Sequence, residues 1–297
     1  MADVCMLSVA FIWGVNMPIM KFALARVDEY LFNAMRLAIS AVVLGLIFWW
    51  RGDRLVDWES KERSPRKQIL LIVLFAFLSG FAYQVLFLLG INQTSAGNTA
   101  LIMSALPVWT ALLAMLLINE RLNRNAWIGL FIALTGTVVV TLTVPASPGT
   151  DGSITGNMLV AAATFAWALG SVGSRPIMKQ VSPIGLAFAG VAIAVPFHFL
   201  VAAHALDEIG KFFTDGWLLL SLLFSGAFST GLAYAFWNFG VKTLGTSHAA
   251  IYQNLVPFVA LIASWFLIGE IPVWMQLVGG VVIIVGLVVM RKNRQPV

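Results

Sequence analysis

The stretch LPVWTALLAMLLINE (Leu106–Glu120) is almost wholly apolar until it closes on a carboxylate, and VPFVALIASWFLIGE (Val256–Glu270) does the same. Pro107 and Pro257 lie 150 residues apart, and so do Glu120 and Glu270. The same ungapped register pairs Gly90 with Gly240, Ala100 with Ala250, Gly129 with Gly279 and Gly136 with Gly286. The first helix of each half also echoes the other: Trp13 precedes PIMK at Pro18–Lys21, and Trp167 precedes PIMK at Pro176–Lys179. There the second copy carries about four extra residues, roughly one helical turn. A register that joins glycine, proline and glutamate points to an internal duplication, with repeats over residues 1–150 and 151–297.

The composition says what is duplicated. Of 297 residues, 60% are hydrophobic and only 10% charged, and the mean hydropathy is +0.91. A soluble domain carries roughly 25% charged residues. A chain this apolar cannot cover a water-facing surface, which leaves a polytopic membrane protein. Apolar segments of about 20 residues, the length that crosses the hydrocarbon core as a helix, follow one another closely. They run over 4–24, 31–50, 68–90, 96–118, 126–144, 154–174, 183–203, 216–241, 246–268 and 273–290. The runs are continuous, without apolar/polar alternation, so the expected fold is all-α rather than a barrel. It comprises about ten transmembrane helices and leaves no room for a soluble domain.

Charge sets the expected orientation. With the N-terminus inside, fourteen of the eighteen Lys and Arg residues fall on cytoplasmic connections and three on the opposite side, with Arg36 inside a span. By the positive-inside rule both termini are expected to be cytoplasmic. The net charge of +5 therefore bears on orientation and not on nucleic acid. The start MADVCML lacks a basic region, and no small-residue cleavage site follows the first apolar run, so the first helix is expected to be retained. Cys5 is the only cysteine, which excludes an intramolecular disulfide or a cysteine metal cluster. No P-loop, dinucleotide fingerprint, zinc-helix motif or nucleophile elbow occurs. The chain is expected to be no enzyme and to hold neither cofactor nor metal.

Five helices per half is an odd number, so the halves enter the membrane from opposite sides as a 5+5 inverted repeat. Such repeats characterise secondary transporters, whose substrate site lies near the midplane and whose alternating access is expected as rocking of one half against the other. At this point the residues carry a resemblance. GLAYAFWNFGVKTLGTSHAAIYQNLVPFVALIASWFLIGE (Gly231–Glu270), GINQTSAGNTALIMSALPVWTALLAMLLINERL and FIWGVNMPIMKFAL resemble EamA-type members of the drug/metabolite transporter superfamily over essentially the whole chain. The resemblance implies ten helices in a five-plus-five arrangement, a central cavity between the halves, and export of small metabolites, often amino acids or related amphipathic compounds. Export across the inner membrane of a bacterium is the leading expectation. Multidrug efflux and, further off, a channel are the alternatives.

Polar residues inside spans are costly unless they face other helices or water. In the eighth span Tyr234, Trp237 and Asn238 share a face; in the ninth, His248 and Tyr252 lie four apart, with Asn254 beside them. Trp13 and Asn16 share a face one turn before Pro18, and Trp167 with Ser171 do likewise. Tyr83, Gln84 and Phe87 come from the third span, and Asn98 is the repeat equivalent of His248. Aromatic walls with a few amide or hydroxyl groups suit a small zwitterion or an aromatic solute. The expected substrate-binding set is Trp13, Asn16, Tyr83, Asn98, Trp167, Tyr234, Asn238, His248 and Tyr252. Pro18, Pro107, Pro176 and Pro257 are the expected hinges, since each removes a backbone donor. Arg36 either snorkels to the interface or pairs with a substrate carboxylate or with carbonyls at a broken helix.

The thirteen acids all sit at span ends or in connections. With none at a midplane, transport is expected to be facilitative or proton-linked through His248 alone. Glu120 and Glu270 are expected to cap or tether tight turns at opposite membrane faces. The alternative for Glu120 is a gating ion pair with Arg121 or Arg124. Gly129 and Gly136, like Gly279 and Gly286, are seven apart on one helix face, which suits close helix packing or a dimer interface. The expected partners are a small-molecule substrate and the lipid bilayer, with the protein a monomer or homodimer.

Overall fold

The computed structural model describes residues 1–57, 64–94, 99, 102–142, 154–269 and 271–291. All regular structure among them is helical. In chain order the segments are α1 (Ala2–Leu24), α2 (Glu29–Trp50), α3 (Pro65–Ile91), α4 (Leu106–Ile118), α5 (Arg124–Leu142), α6 (Ile154–Ile177), α7 (Pro183–Val201), α8 (Gly216–Leu244), α9 (Thr246–Leu267) and α10 (Trp274–Arg291). Seven of these are long and apolar enough to cross a membrane, and α4, α5 and α10 are shorter apolar helices. The N-terminal part of the expected fourth span lies largely outside the described residues, Asn98 with it.

Local chemistry fixes several helix ends. The Asp28 carboxylate accepts from the amides of Tyr30 and Leu31 and starts α2, and Asp215 does the same for Trp217 and Leu218 at α8. Ser182 accepts from Gly185, with Pro183 as the first residue of α7. At the other end, α4 stops at Asn119 (φ 53°) and α9 at Gly269 (φ 74°), again 150 residues apart. Both residues are left-handed, and each directly precedes one of the two glutamates that mark the duplication.

Two helices widen at their centres. Residues Ala76–Ala82 in α3 and Phe224–Leu232 in α8 form π-helix, and the two segments end 150 residues apart. A π turn shifts hydrogen bonds from i−4 to i−5 and turns backbone carbonyls toward other partners, a frequent feature of functional sites. The proline positions also repeat. Pro107 follows a break in helical bonding at Ala105, and Pro257 follows the 3-10 turn Tyr252–Asn254. Pro18 and Pro176 lie inside α1 and α6.

The helices then pair closely, and the closest pairs join one sequence half to the other: α5 with α10, α2 with α7, α1 with α9, and α3 with α6. Glycines 150 residues apart explain the first. A β-carbon on Gly136 would lie 2.6 Å from the Gly279 carbonyl oxygen, and one on Gly129 would lie 2.5 Å from that of Gly286. Small residues let two backbones touch in this way. These glycine faces are thus filled by each other within one chain and do not form a dimer surface. Equivalent contacts recur elsewhere, with Gly240 against Met6 and Gly90 against Val160. Because the halves interleave, they are not two separable lobes. The outer surface is apolar, with Phe11, Leu46, Leu116 and Phe266 exposed, and Trp49, Trp50, Trp217 and Trp274 stand exposed near helix ends, where interfacial tryptophans gather.

Candidate substrate site

Where α1, α3, α6 and α8 meet, the aromatic residues converge. The Trp13 and Trp167 rings lie 5.8 Å apart edge to face, and Trp13 lies 5.6 Å from Trp237 and 6.2 Å from Tyr234. Trp167 lies 4.9 Å from Tyr83 and 5.5 Å from Tyr234. Edge-to-face and tilted contacts of this kind are favourable beyond area burial alone. The widened turn of α8 holds this cluster in place. The Trp13 indole N–H donates to the Ser229 carbonyl at 2.9 Å, and the Ser225 hydroxyl donates to Asn16 Oδ1 at 2.6 Å. The rings touch one another.

A polar network abuts the cluster. Arg36 is buried, 8% exposed, and its guanidinium donates to three neutral side chains. The acceptors are Asn33 Oδ1 at 2.9 Å, Thr230 Oγ1 at 2.9 Å and Gln84 Oε1 at 2.8 Å. Snorkelling is therefore overturned, because acceptors inside the bundle hold the head group inward. The Gln84 amide donates in turn to the Tyr234 hydroxyl at 3.0 Å. Gln84 and Tyr234 are themselves repeat equivalents, as are Trp13 and Trp167. Asn33 Nδ2 meets His198 Nδ1 at 3.1 Å, and His198 Nε2 meets the Gly80 carbonyl in the π segment of α3 at 2.9 Å. His198 is thus a second buried histidine inside a span, besides His248.

Of the expected site residues, Trp13, Asn16, Tyr83, Trp167 and Tyr234 come together here. Asn238 instead donates to the Pro183 carbonyl at 3.2 Å, joining α8 to α7. The Tyr252 hydroxyl donates to Asp3, and His248 is buried in the first turns of α9. Asn33, His198, Ser225, Ser229 and Thr230 were not among the expected residues. Signals that were there to read are the Asn33–Arg36 spacing of three and the Ser/Gly-rich run FSGAFSTG that holds Ser225, Ser229 and Thr230; nothing in the sequence singled out His198.

A second polar centre lies at the ends of α4 and α6. Glu120 is buried and pairs with Arg175, Oε2 to guanidinium at 2.6 Å. Its oxygens also accept from the backbone N–H groups of Thr246 at 3.0 Å and Ser247 at 2.8 Å, where α9 begins. A carboxylate at a helix N-terminus meets both unpaired N–H groups and the positive end of the dipole. Gly245 makes the approach possible: its φ is 89°, and a β-carbon there would stand 2.9 Å from Glu120 Oε1. Glu120 thus tethers a helix start on the other sequence half, not its own turn. Its ion-pair partner is Arg175, not Arg121 or Arg124. Glu270 lies outside the described residues.

The described helices thus form an apolar multi-pass bundle with a buried aromatic and amide cluster, and the family match makes the class that of a membrane transporter. The profile of the EamA-like transporter family matches residues 1–142 and again 154–292. The chain belongs to that family, within the drug/metabolite transporter superfamily. It is 25% identical over 293 residues to the uncharacterized transporter YyaM of Bacillus subtilis, covering 95% of this chain and 91% of that protein. It is 26% identical over 290 residues to a probable amino-acid metabolite efflux pump of Salmonella typhimurium, covering 95% and 91%. A solved crystal structure superposes over 99% of this chain and 97% of its own with a TM-score of 0.81 at 18% identity, a likeness of fold.

Proposed function

We propose that this chain is a secondary transporter that exports small metabolites across the inner membrane of a bacterium by alternating access. Both termini are cytoplasmic, and the two repeats, 1–150 and 151–297, are inverted five-helix units. The observation that carries this reading is the meeting of repeat-equivalent residues in one buried site. Trp13 touches Trp167, and Gln84 bonds Tyr234, as expected of groups beside a two-fold axis in the membrane plane. The recurrent glycine contacts and the paired π segments support the same symmetry. Pro107 and Pro257, each beside a break in helical bonding, act as hinges. Glu120, Arg175 and the start of α9 close the cytoplasmic mouth. Similarity to an amino-acid metabolite efflux pump, together with the aromatic walls, favours amino acids and related amphipathic compounds over cationic drugs.

The test is solute flux by the purified chain in liposomes against amino acids, nucleosides and cationic dyes. Saturable flux of at least one small metabolite, with mutual competition inside its class, is the expected result. Flux confined to the dyes overturns the metabolite reading.

A further inference from the structure

We propose that Arg36 anchors a carboxylate of the transported solute, so that the substrates are small organic compounds with a single carboxylate, amino acids among them, and an aromatic or apolar body. This rests on the transport reading above and names its substrate class.

The argument follows the protons outward from Arg36. A guanidinium can only donate, so the amide oxygens of Asn33 and Gln84 must be the atoms that face it. Their NH₂ groups then point away. Asn33 donates to His198 Nδ1, which must accept, so the ring proton sits on Nε2 and goes to the Gly80 carbonyl. Histidine beside the arginine is therefore neutral. Thr230 accepts from Arg36 and passes its own proton to the Ser225 carbonyl at 3.1 Å. Gln84 donates to Tyr234, whose hydroxyl keeps a proton to give.

Each side chain that meets Arg36 offers it a neutral acceptor, and two guanidinium N–H groups and the Tyr234 O–H remain to donate. Three of the five guanidinium N–H groups are used, and the Tyr234 O–H lies one side chain away. Among the described residues no carboxylate forms an ion pair with Arg36. A buried cation held only by neutral groups retains much of its desolvation cost, and an arriving anion offsets it. One guanidinium calls for one carboxylate. Tyr234 is shared between the network and the aromatic cluster, so an apolar body attached to that carboxylate falls among Trp13, Tyr83 and Trp167.

The test is binding of 3-phenylpropanoate, 3-phenylpropanamide and 3-phenylpropylamine to the full chain in nanodiscs, read by tryptophan fluorescence. The wild type is expected to bind the acid about 10- to 100-fold more tightly than the amide or amine, the range of one or two charge-assisted hydrogen bonds. In Arg36→Gln the acid-to-amide ratio is expected to fall to about 1 with amide binding retained, and Arg36→Lys restores part of it. Should Arg36→Gln fail to fold, Tyr234→Phe leaves the arginine network standing and is expected to lower the ratio several-fold. The proposal is overturned if the wild type does not bind the acid, binds acid and neutral forms alike, or keeps its ratio in the folded variants. Acid binding without flux leaves the anchor standing and sinks the transport reading. Flux of neutral solutes without acid preference does the reverse.

Discussion

Glu120→Ala is expected to destabilise the protein by about 3 kcal/mol and, under the proposed function, to favour opening where α4, α6 and α9 meet. Removing one partner of a buried ion pair costs roughly 3–5 kcal/mol. The lower end applies because the Arg175 side chain is 22% exposed and recovers some hydration. The loss also strips the Thr246 and Ser247 amides of their acceptors. These bonds join α4 to α6 and α9, elements that must separate if solute is to enter from that side. If they exist only in the closed state, a loss of about 3 kcal/mol shifts the closed-to-open ratio by about 100-fold. An impermeant maleimide reading Ser247→Cys in a Cys5→Ala background should then label at least tenfold faster when Glu120 is alanine. Lower thermal stability with unchanged labelling would reduce Glu120 to a helix cap. Glu120→Gln is expected to fall between the two, since an amide oxygen still accepts but carries no charge for Arg175.

The second large effect concerns the α5–α10 seam. Gly136→Ala places a methyl group 2.6 Å from the Gly279 carbonyl oxygen and 2.7 Å from the Ile283 amide nitrogen. Backbone stands on both sides, so nothing flexible can yield and the helices must part. Overpacking of this kind costs about 1–3 kcal/mol and occasionally more, and a rigid backbone contact belongs at or above the upper end. Gly173→Ala is the control, because no neighbour stands within 4 Å of a β-carbon there. Alanine in a helix interior gains about 1 kcal/mol over glycine, so this variant is expected to be neutral or stabilised. One substitution type with opposite signs at two helical glycines is the expected outcome of thermal unfolding in detergent. Equal shifts would mean that the seam is not rigid.

Much of the fold was legible because its signals are local. Apolar run length marked the helices, and the 150-residue register marked like features in the two halves, such as the left-handed helix ends at Asn119 and Gly269. Close helix packing at the glycines seven apart was legible, but not the partners: Gly129 and Gly136 face Gly286 and Gly279, the reverse of their register pairs, and the bond between Gln84 and Tyr234 was not foreseen. The interleaving of the halves was not legible, since packing between distant helices depends on three-dimensional shape and not on periodicity. In the site, residue type found the aromatics, because a tryptophan or tyrosine inside a span has few places to go. Amides were harder to assign. Asn238 satisfies itself on the Pro183 carbonyl, whereas Asn33 supports Arg36, and only the neighbours distinguish these outcomes. Glu120 stood out by its register, but Arg175 and Thr246 lie 55 and 126 residues away and nothing adjacent pointed to them. The π segments rest on hydrogen-bond geometry that a Ser/Gly-rich run permits without dictating.

Counterflow tests alternating access most directly. Liposomes bearing the purified chain are loaded with unlabelled 3-phenylpropanoate and diluted into trace labelled acid. A carrier whose site faces one side at a time exchanges label inward faster than it empties, so a transient accumulation of label above equilibrium is the result this account predicts. Label that rises only to equilibrium, at a rate proportional to concentration and indifferent to the internal load, would contradict it and make the pathway a channel.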